Sequence, residues 1–215
     1  MTPDLVLVID DDAFTLSMVT GVIASSGFIA HGESTAAKGF AFTKSGHPKV
    51  AIIDLDLGEG PTGIDLAYGL RRLDPKIGLI LLTSYEDPRL HRPNLPDLPT
   101  GTRYLVKQQI ANKQILIETL EEARNSPLGK ISDADYKLTD FTDVQIETLR
   151  LVAKGHSNAE IAKLRFVTEK TVEQTITRLA KQLKIGQSPD VNSRVQLART
   201  YFAKMGVAIE SEKAT

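Results

Sequence analysis

The sequence predicts a doubly wound α/β domain, built on a five-stranded parallel sheet, followed by an all-α domain. Three observations predict it. Over residues 1–125, short β-rich runs alternate with helical patterns. Several of those runs are unbroken Val, Ile and Leu, the pattern of strands buried on both faces rather than one. Beyond residue 125 the pattern turns helical, and its segments open on Ser/Thr capping signals. A chain of 215 residues accommodates two such domains.

The strands are expected at Leu5–Ile9, Phe28–His31, Val50–Ile53, Ile77–Leu82 and Tyr104–Val106. Helices fall between and after them, at Ala13–Ser25, Thr35–Lys44, Gly63–Leu73 and Ala111–Arg124. The fourth connection is irregular: Pro88, Pro93, Pro96 and Pro99 leave room for at most one turn of helix between residues 85 and 99. Residues 125–137, opening on Asn125-Ser126-Pro127-Leu128-Gly129-Lys130, read as a linker. Thr142 with Gln145, and Ser157 with Glu160, match the capping box that starts a helix. A further helix starts near Thr168, with Val172, Ile176, Leu179 and Leu183 on its buried face. A last one runs from about Asn192 through Val195, Leu197, Ala198 and Phe202 to Met205, and 206–215 form a polar tail.

Composition excludes several classes of function. With 41% hydrophobic and 25% charged residues, the chain has a globular balance. It has no cysteine, hence neither disulfides nor thiolate metal sites, and its four histidines are scattered. It shows no membrane-length apolar stretch and no signal-peptide pattern, so the expectation is a cytoplasmic protein without membrane contact. Residues 1–125 carry 12 basic and 16 acidic side chains, whereas 150–204 carry 11 basic and 4 acidic ones. An acidic half joined to a basic core suggests a cation or regulatory site in the first and a polyanion partner for the second.

Acidic residues cluster where parallel sheets place their sites, at the C-terminal strand ends. Asp10-Asp11-Asp12 follows the first apolar run, and Asp54 ends the third. Carboxylates beside buried strands need compensation, and a bound cation is the usual one. If the two strands are neighbours, Asp10, Asp11 and Asp54 meet at one edge and make an Mg²⁺ pocket. Thr83 and Lys107 fall at the same edge.

These residues carry a resemblance. With Asp10 and Asp11 after the first strand, Asp54 after the third, Thr83-Ser84 after the fourth and Tyr104-Leu105-Val106-Lys107 at the fifth, residues 1–124 resemble the flavodoxin-like receiver domain of two-component response regulators. The resemblance implies that Asp54 accepts a phosphoryl group from the phosphohistidine of a sensor histidine kinase. It implies Mg²⁺ held by Asp10, Asp11, Asp54 and the backbone carbonyl of Asp56, with Lys107 on a phosphoryl oxygen. Thr83 and Tyr104 would form the switch. Two positions depart from the family pattern. Gln108 stands where proline usually follows the lysine, and Gly58 stands where a proline-like turn former is usual. Neither is expected to touch the catalytic groups.

Residues 138–205 resemble the LuxR-type helix-turn-helix domain, through the stretch from Leu149 to Ala162 and through Val167-Thr168-Glu169-Lys170-Thr171-Val172-Glu173. The spacing fits a first helix ended by Gly155, a scaffold helix from Ser157, a tight turn near Phe166 and a recognition helix from Thr168. With Val172 and Ile176 buried, Lys170, Glu173, Gln174, Thr177, Arg178 and Lys181 face outward. Lys170, Arg178, Lys181 and Lys184 suit phosphates of double-stranded DNA, and Gln174 and Thr177 suit base edges. Glu173 replaces a lysine common in the family and suits a cytosine amino group. The family suggests a homodimer on DNA through the terminal helix, after a loop at 186–191 that is longer than usual.

The expectation is therefore a NarL/FixJ-type regulator whose phosphorylation modulates dimerisation and DNA binding to control transcription. Its only catalysis would be its own phosphoryl transfer and dephosphorylation. Two alternatives remain open at this point: a transcription factor controlled by a partner protein rather than by phosphate, and a signalling interaction protein that binds no DNA.

Overall fold

The computed structural model describes residues 3–58, 60–84, 98–129, 141–185 and 192–204. They fall into two compact units, 3–129 and 141–204.

The first unit is a five-stranded parallel sheet: β1 (Leu5–Ile9), β2 (Ile29–Glu33), β3 (Val50–Asp54), β4 (Gly78–Thr83) and β5 (Arg103–Val106), in the order β2-β1-β3-β4-β5. Its helices are α1 (Ala13–Ala24), α2 (Ala36–Gly46), α3 (Gly63–Leu73) and α4 (Lys113–Asn125). β1, β3 and β4 bury nearly every side chain, as their continuous apolar runs require. Val6, Val8, Val50, Ile52, Ile80, Leu82 and Leu105 pack with Val19 and Ile23 of α1 and with Leu116, Leu120 and Ala123 of α4. The alternate residues turn to the other face, where Gly39 of α2 comes close enough to Ile9 that a Cβ would lie 2.7 Å from its Cγ1.

Several boundaries differ from the sequence expectation, each by one or two residues. β2 extends to Glu33 because its pairing with β1 continues to Ile9 and the Asp10 N–H donates to the Glu33 carbonyl (3.1 Å); on its edge the His31 ring hydrogen-bonds Glu33 (2.9 Å) and stacks on Phe42. β5 starts at Arg103, which is nearly buried. Between β5 and α4 a 3-10 turn runs from Lys107 to Ala111, and Asn112 caps α4 by accepting from the Gln114 N–H. That helix therefore starts at Lys113 rather than Ala111. The proline-rich connection lies outside the described residues over 85–97.

The chain leaving α4 is fastened to this unit. Arg103 donates to the carbonyls of Gly101 (2.6 Å) and Ser126 (3.2 Å), and Arg71 donates to that of Pro127 (3.1 Å). Gly101, at φ +79°, leaves no room for a Cβ, which would fall 2.2 Å from the Pro127 oxygen. Arg103→Ala leaves two carbonyls without their donor, at a cost of about 2 kcal/mol. Hydrogen exchange should then accelerate at the Gly129 amide, which donates to Ser126. Unchanged exchange there would show that the arginine holds nothing in place.

The second unit contains α5 (Asp143–Ala153), α6 (Asn158–Leu164), α7 (Glu169–Gln182) and α8 (Ser193–Lys204). Thr142 and Ser157 form the expected capping boxes with Gln145 and Glu160, and Thr168 caps α7 by accepting from Thr171. Phe141, Leu149, Val152, Ile161, Val172, Leu179, Leu197 and Tyr201 share the core. α8 is rotated so that Leu197 and Tyr201 are buried, whereas Val195 and Phe202, two of the apolar positions marked in the sequence, are exposed. Arg194 holds that rotation, donating to Asn158 Oδ1 (2.5 Å) and to the His156 carbonyl. Met205, the 186–191 loop and the tail lie outside the described residues.

Candidate functional site

β1 and β3 are neighbours in register, with Ile9 opposite Ile53, so the residues that follow them emerge side by side. This is the point where the strand order reverses, the usual position of a ligand crevice in such sheets. Asp10 is fully buried, Asp54 is 5% exposed and Asp11 faces solvent. One carboxylate oxygen from each lies within 4.8 Å of the others. Lys107, just past β5, reaches across to both buried acids: its Nζ is 2.8 Å from Asp10 Oδ2 and 3.0 Å from Asp54 Oδ2. Thr83 closes β4 opposite Val106, with 1% exposure, and Tyr104 is half-buried on β5.

The electrostatics of the pocket follow from this crowding. Burial pushes the Asp54 carboxyl up to about 6; Lys107 opposes the rise, the Asp10 charge adds to it, and the Asp56 N–H opposes it by donating to Asp54. Burial works against the Lys107 charge, but the two carboxylates outweigh it and hold the ammonium above its ordinary value. Asp12 has a separate task. It accepts from the Thr15 N–H at 2.7 Å, which lowers its pKa and caps α1. The structure thus separates Asp10 and Asp11, in the pocket, from Asp12, in the cap. A hard cation fits this donor set: three clustered carboxylates face one ammonium, that of Lys107, and burial makes the ionised form of Asp54 costly unless further positive charge is supplied.

Two glycines shape the pocket, one of them unforeseen. Gly58, at φ +68°, comes close to Asp11, where a Cβ would lie 3.1 Å from Oδ2. Any residue with a side chain at this position would press on Asp11, and glycine avoids that. Gly63 begins α3 directly against the Asp54 backbone, and its Thr62–Asp65 capping box is readable in the sequence. Gln108 follows Lys107 inside the 3-10 turn, and no described peptide bond is cis.

In the second unit, Lys170, Glu173, Gln174, Thr177, Arg178 and Lys181 are all exposed on α7, as is Lys184 just beyond it. The opposite face buries Val172 and Leu179 together with Thr175 and Ala180, two residues the apolar periodicity does not mark. Phe166 occupies the tight turn in the left-handed conformation, φ +51°.

An N-terminal doubly wound unit with this acidic pocket and a C-terminal helix-turn-helix define a two-part regulatory protein. Comparison with known proteins agrees. The response regulator receiver domain family matches residues 6–122, and the luxR family of bacterial regulatory proteins matches residues 139–201. The chain belongs to the response regulators, in the NarL/FixJ-type group that joins a receiver to a LuxR-type DNA-binding domain.

Among curated relatives, the oxygen regulatory protein NreC of Staphylococcus epidermidis is 26% identical over 160 residues, covering 67% of this chain and 73% of its own. The DNA-binding transcriptional activator EvgA of Escherichia coli is 21% identical over 201 residues, covering 88% and 96%. A solved complex of the two-component response regulator RcsB with DNA shares the fold, with a TM-score of 0.57 at 20% identity over 94% of this chain and 98% of that one. Among the described residues, no helix is long and apolar enough to cross a membrane.

Proposed function

We propose that Asp54 is the phosphoacceptor of this response regulator and that its phosphorylation by a sensor histidine kinase controls dimerisation and DNA binding. The observation that carries the reading is the pairing of Lys107 with Asp10 and Asp54 at the ends of β1, β3 and β5. An Asp54 oxygen attacks the phosphorus of the kinase phosphohistidine. The P–N bond breaks, an acyl phosphate forms, and the departing imidazole takes up a proton. Lys107 exchanges a carboxylate oxygen for a phosphoryl oxygen, and its charge opposes the charge gathering in the transition state. The Thr83 hydroxyl donates to a second oxygen, and Tyr104 turns into the space that Thr83 leaves. Asp10, Asp11, Asp54 and the Asp56 carbonyl would hold Mg²⁺, which supplies further positive charge to the phosphoryl oxygens when bound. Hydrolysis of the acyl phosphate restores Asp54, and this self-modification is the chain's whole catalytic repertoire.

Residues 1–124 then act as the receiver, 125–137 as linker and 138–205 as the DNA-binding domain. Lys170, Arg178 and Lys181 neutralise phosphates, while Glu173, Gln174 and Thr177 face the bases. Incubation with Mg²⁺ and acetyl phosphate should add one phosphoryl group by intact mass. Asp54→Ala should lose it, along with the accompanying gain in dimerisation and DNA affinity. No added mass, with DNA binding intact, would favour control by a protein partner instead.

α8 supports the dimer. Val195 and Phe202, seven residues apart, are 51% and 39% exposed on one face of this helix. Phe202→Ser should weaken dimerisation roughly tenfold, read by sedimentation of the phosphorylated protein. Its thermal midpoint should stay near that of the wild type, because the ring is not in the core. An unchanged dimer would move the interface off this face.

A further inference from the structure

Three helices of the second unit close with the same device. After α5, the His156 N–H donates to Leu151 and the Gly155 N–H to Val152; after α6, Val167 donates to Ala162 and Phe166 to Lys163; after α7, Ile185 donates to Ala180 and Lys184 to Lys181. Each closure puts one residue in the left-handed region: Gly155 at φ +88°, Phe166 at +51° and Lys184 at +53°. Glycine suits that conformation and a bulky L-residue does not. The Phe166 ring does not offset this cost by packing. It is 95% exposed, more than any other large hydrophobic side chain among the described residues, the next being Phe14 at 75%. Lys184 is exposed too, but its ammonium belongs in water; at Phe166 the left-handed backbone carries an apolar ring that nothing in the fold covers, and an outlier of that kind points to something outside the fold that uses it.

Its position indicates what does. Phe166 stands two residues ahead of Thr168, the cap of α7, and in helix-turn-helix proteins the N-terminal end of the second helix enters the major groove. Exposed Lys163 and Lys170 stand within four residues of it on either side, with one exposed carboxylate, Glu169, between, so cations outnumber anions in the sequence around the ring, as a polyanion partner requires. We propose that Phe166 is a DNA contact, its ring lying on an apolar element of the duplex, a thymine methyl or a deoxyribose face, where α7 enters the groove. The contact rests on reading α7 as the recognition helix and adds to it a residue ahead of that helix. It contributes affinity without neutralising a phosphate, which separates it from the basic residues of α7.

The test uses the full-length protein and a duplex that the wild type selects from a random-sequence pool. Phe166→Gly and Phe166→Asn, both compatible with the left-handed turn, should melt at or above the wild-type temperature. They should bind the duplex about fivefold to twentyfold more weakly with an unchanged salt slope, and Phe166→Tyr should bind as the wild type does. Arg178→Ala and Lys181→Ala should each weaken binding and flatten the salt slope by about one. Uracil in place of thymine in the duplex distinguishes the two apolar sources. It removes the Phe166 effect if the methyl is the contact and preserves the effect if the sugar is. Glycine and asparagine variants that bind as tightly as wild type, while the α7 variants do not, overturn the Phe166 contact alone. That result together with lost transcription assigns the ring to a protein partner. A wild type that selects no duplex overturns both the contact and the reading of α7.

Discussion

Asp54→Asn raises the thermal midpoint of the metal-free receiver unit at pH 7 and removes most of its stabilisation by Mg²⁺. The reason lies in the cost of the ionised carboxylate. Its pKa stands at about 6 in the folded protein against 3.8 unpaired in water, because the group is buried and faces Asp10. A group whose folded pKa is raised stabilises the fold below its unfolded pKa, and that contribution is lost as the pH climbs through the folded value. At pH 7 the wild type therefore carries the full cost, on the order of 1–3 kcal/mol, and asparagine does not. For a domain of this size the difference is roughly 3–10 °C. Melts in chelator from pH 4 to 8 isolate the effect. The gap between variant and wild type should be small near pH 4, open between about 4 and 6, and hold constant above. A gap independent of pH would mean that Asp54 is not strained by its charge. Millimolar Mg²⁺ should then raise the wild type well above its metal-free midpoint and the variant far less, because the cation relieves a repulsion that asparagine has already removed.

The parts of this site that could be read in the sequence are those set by local chemistry. Asp10 and Asp54 were legible because each follows a run too apolar to be anything but a buried strand, and parallel strands bring such ends together. Thr142, Ser157 and Thr168 were legible because a capping hydroxyl needs only its own next turn. What escaped depends on distant partners. The last helix has apolar residues on two faces, Val195 and Phe202 on one and Leu197 and Tyr201 on the other. Helical spacing cannot choose between them; the hydrogen bonds from Arg194 to Asn158 and His156, across 36 and 38 residues, do. The turn from Lys107 to Ala111 escaped for a different reason, a local one without a Ser/Thr signal: Gln109 Oε1 accepts from the Val106 N–H where strand pairing ends. Gly58 was noticed as a departure, but the reason a side chain there would press on Asp11 is a property of the folded loop alone.

Gly63 is the clearest case of a residue whose importance only the fold reveals, and its replacement should have the largest effect on stability. α3 starts so close to the end of β3 that a Cβ on Gly63 would lie 2.0 Å from the Asp54 carbonyl oxygen, 2.9 Å from its carbon and 3.0 Å from Leu55 Cα. All three are backbone atoms at the end of the strand that carries Asp54, so no side-chain rotation relieves the overlap. The Gly63 N–H also donates to Leu55 (3.1 Å), and the Thr62–Asp65 capping box fixes the same turn. Alanine can be admitted only by moving α3 off the sheet, which breaks that hydrogen bond and shifts the peptide that orients Asp54. Gly63→Ala should therefore cost about 3 kcal/mol, at the upper end for overpacking by a single methyl group. It should also slow phosphorylation by acetyl phosphate more than the lost stability explains, measured at a temperature where the variant remains folded. Gly21 provides the matched control, being a helical glycine whose added Cβ would meet nothing within 4 Å. Gly21→Ala should leave phosphorylation unchanged and raise stability by about 0.5–1 kcal/mol, through helix propensity and a less flexible unfolded chain. If both variants melt and react like the wild type, the close approach of α3 to β3 does not position the site, and the orientation of Asp54 must come from Lys107 and the Asp56 amide alone.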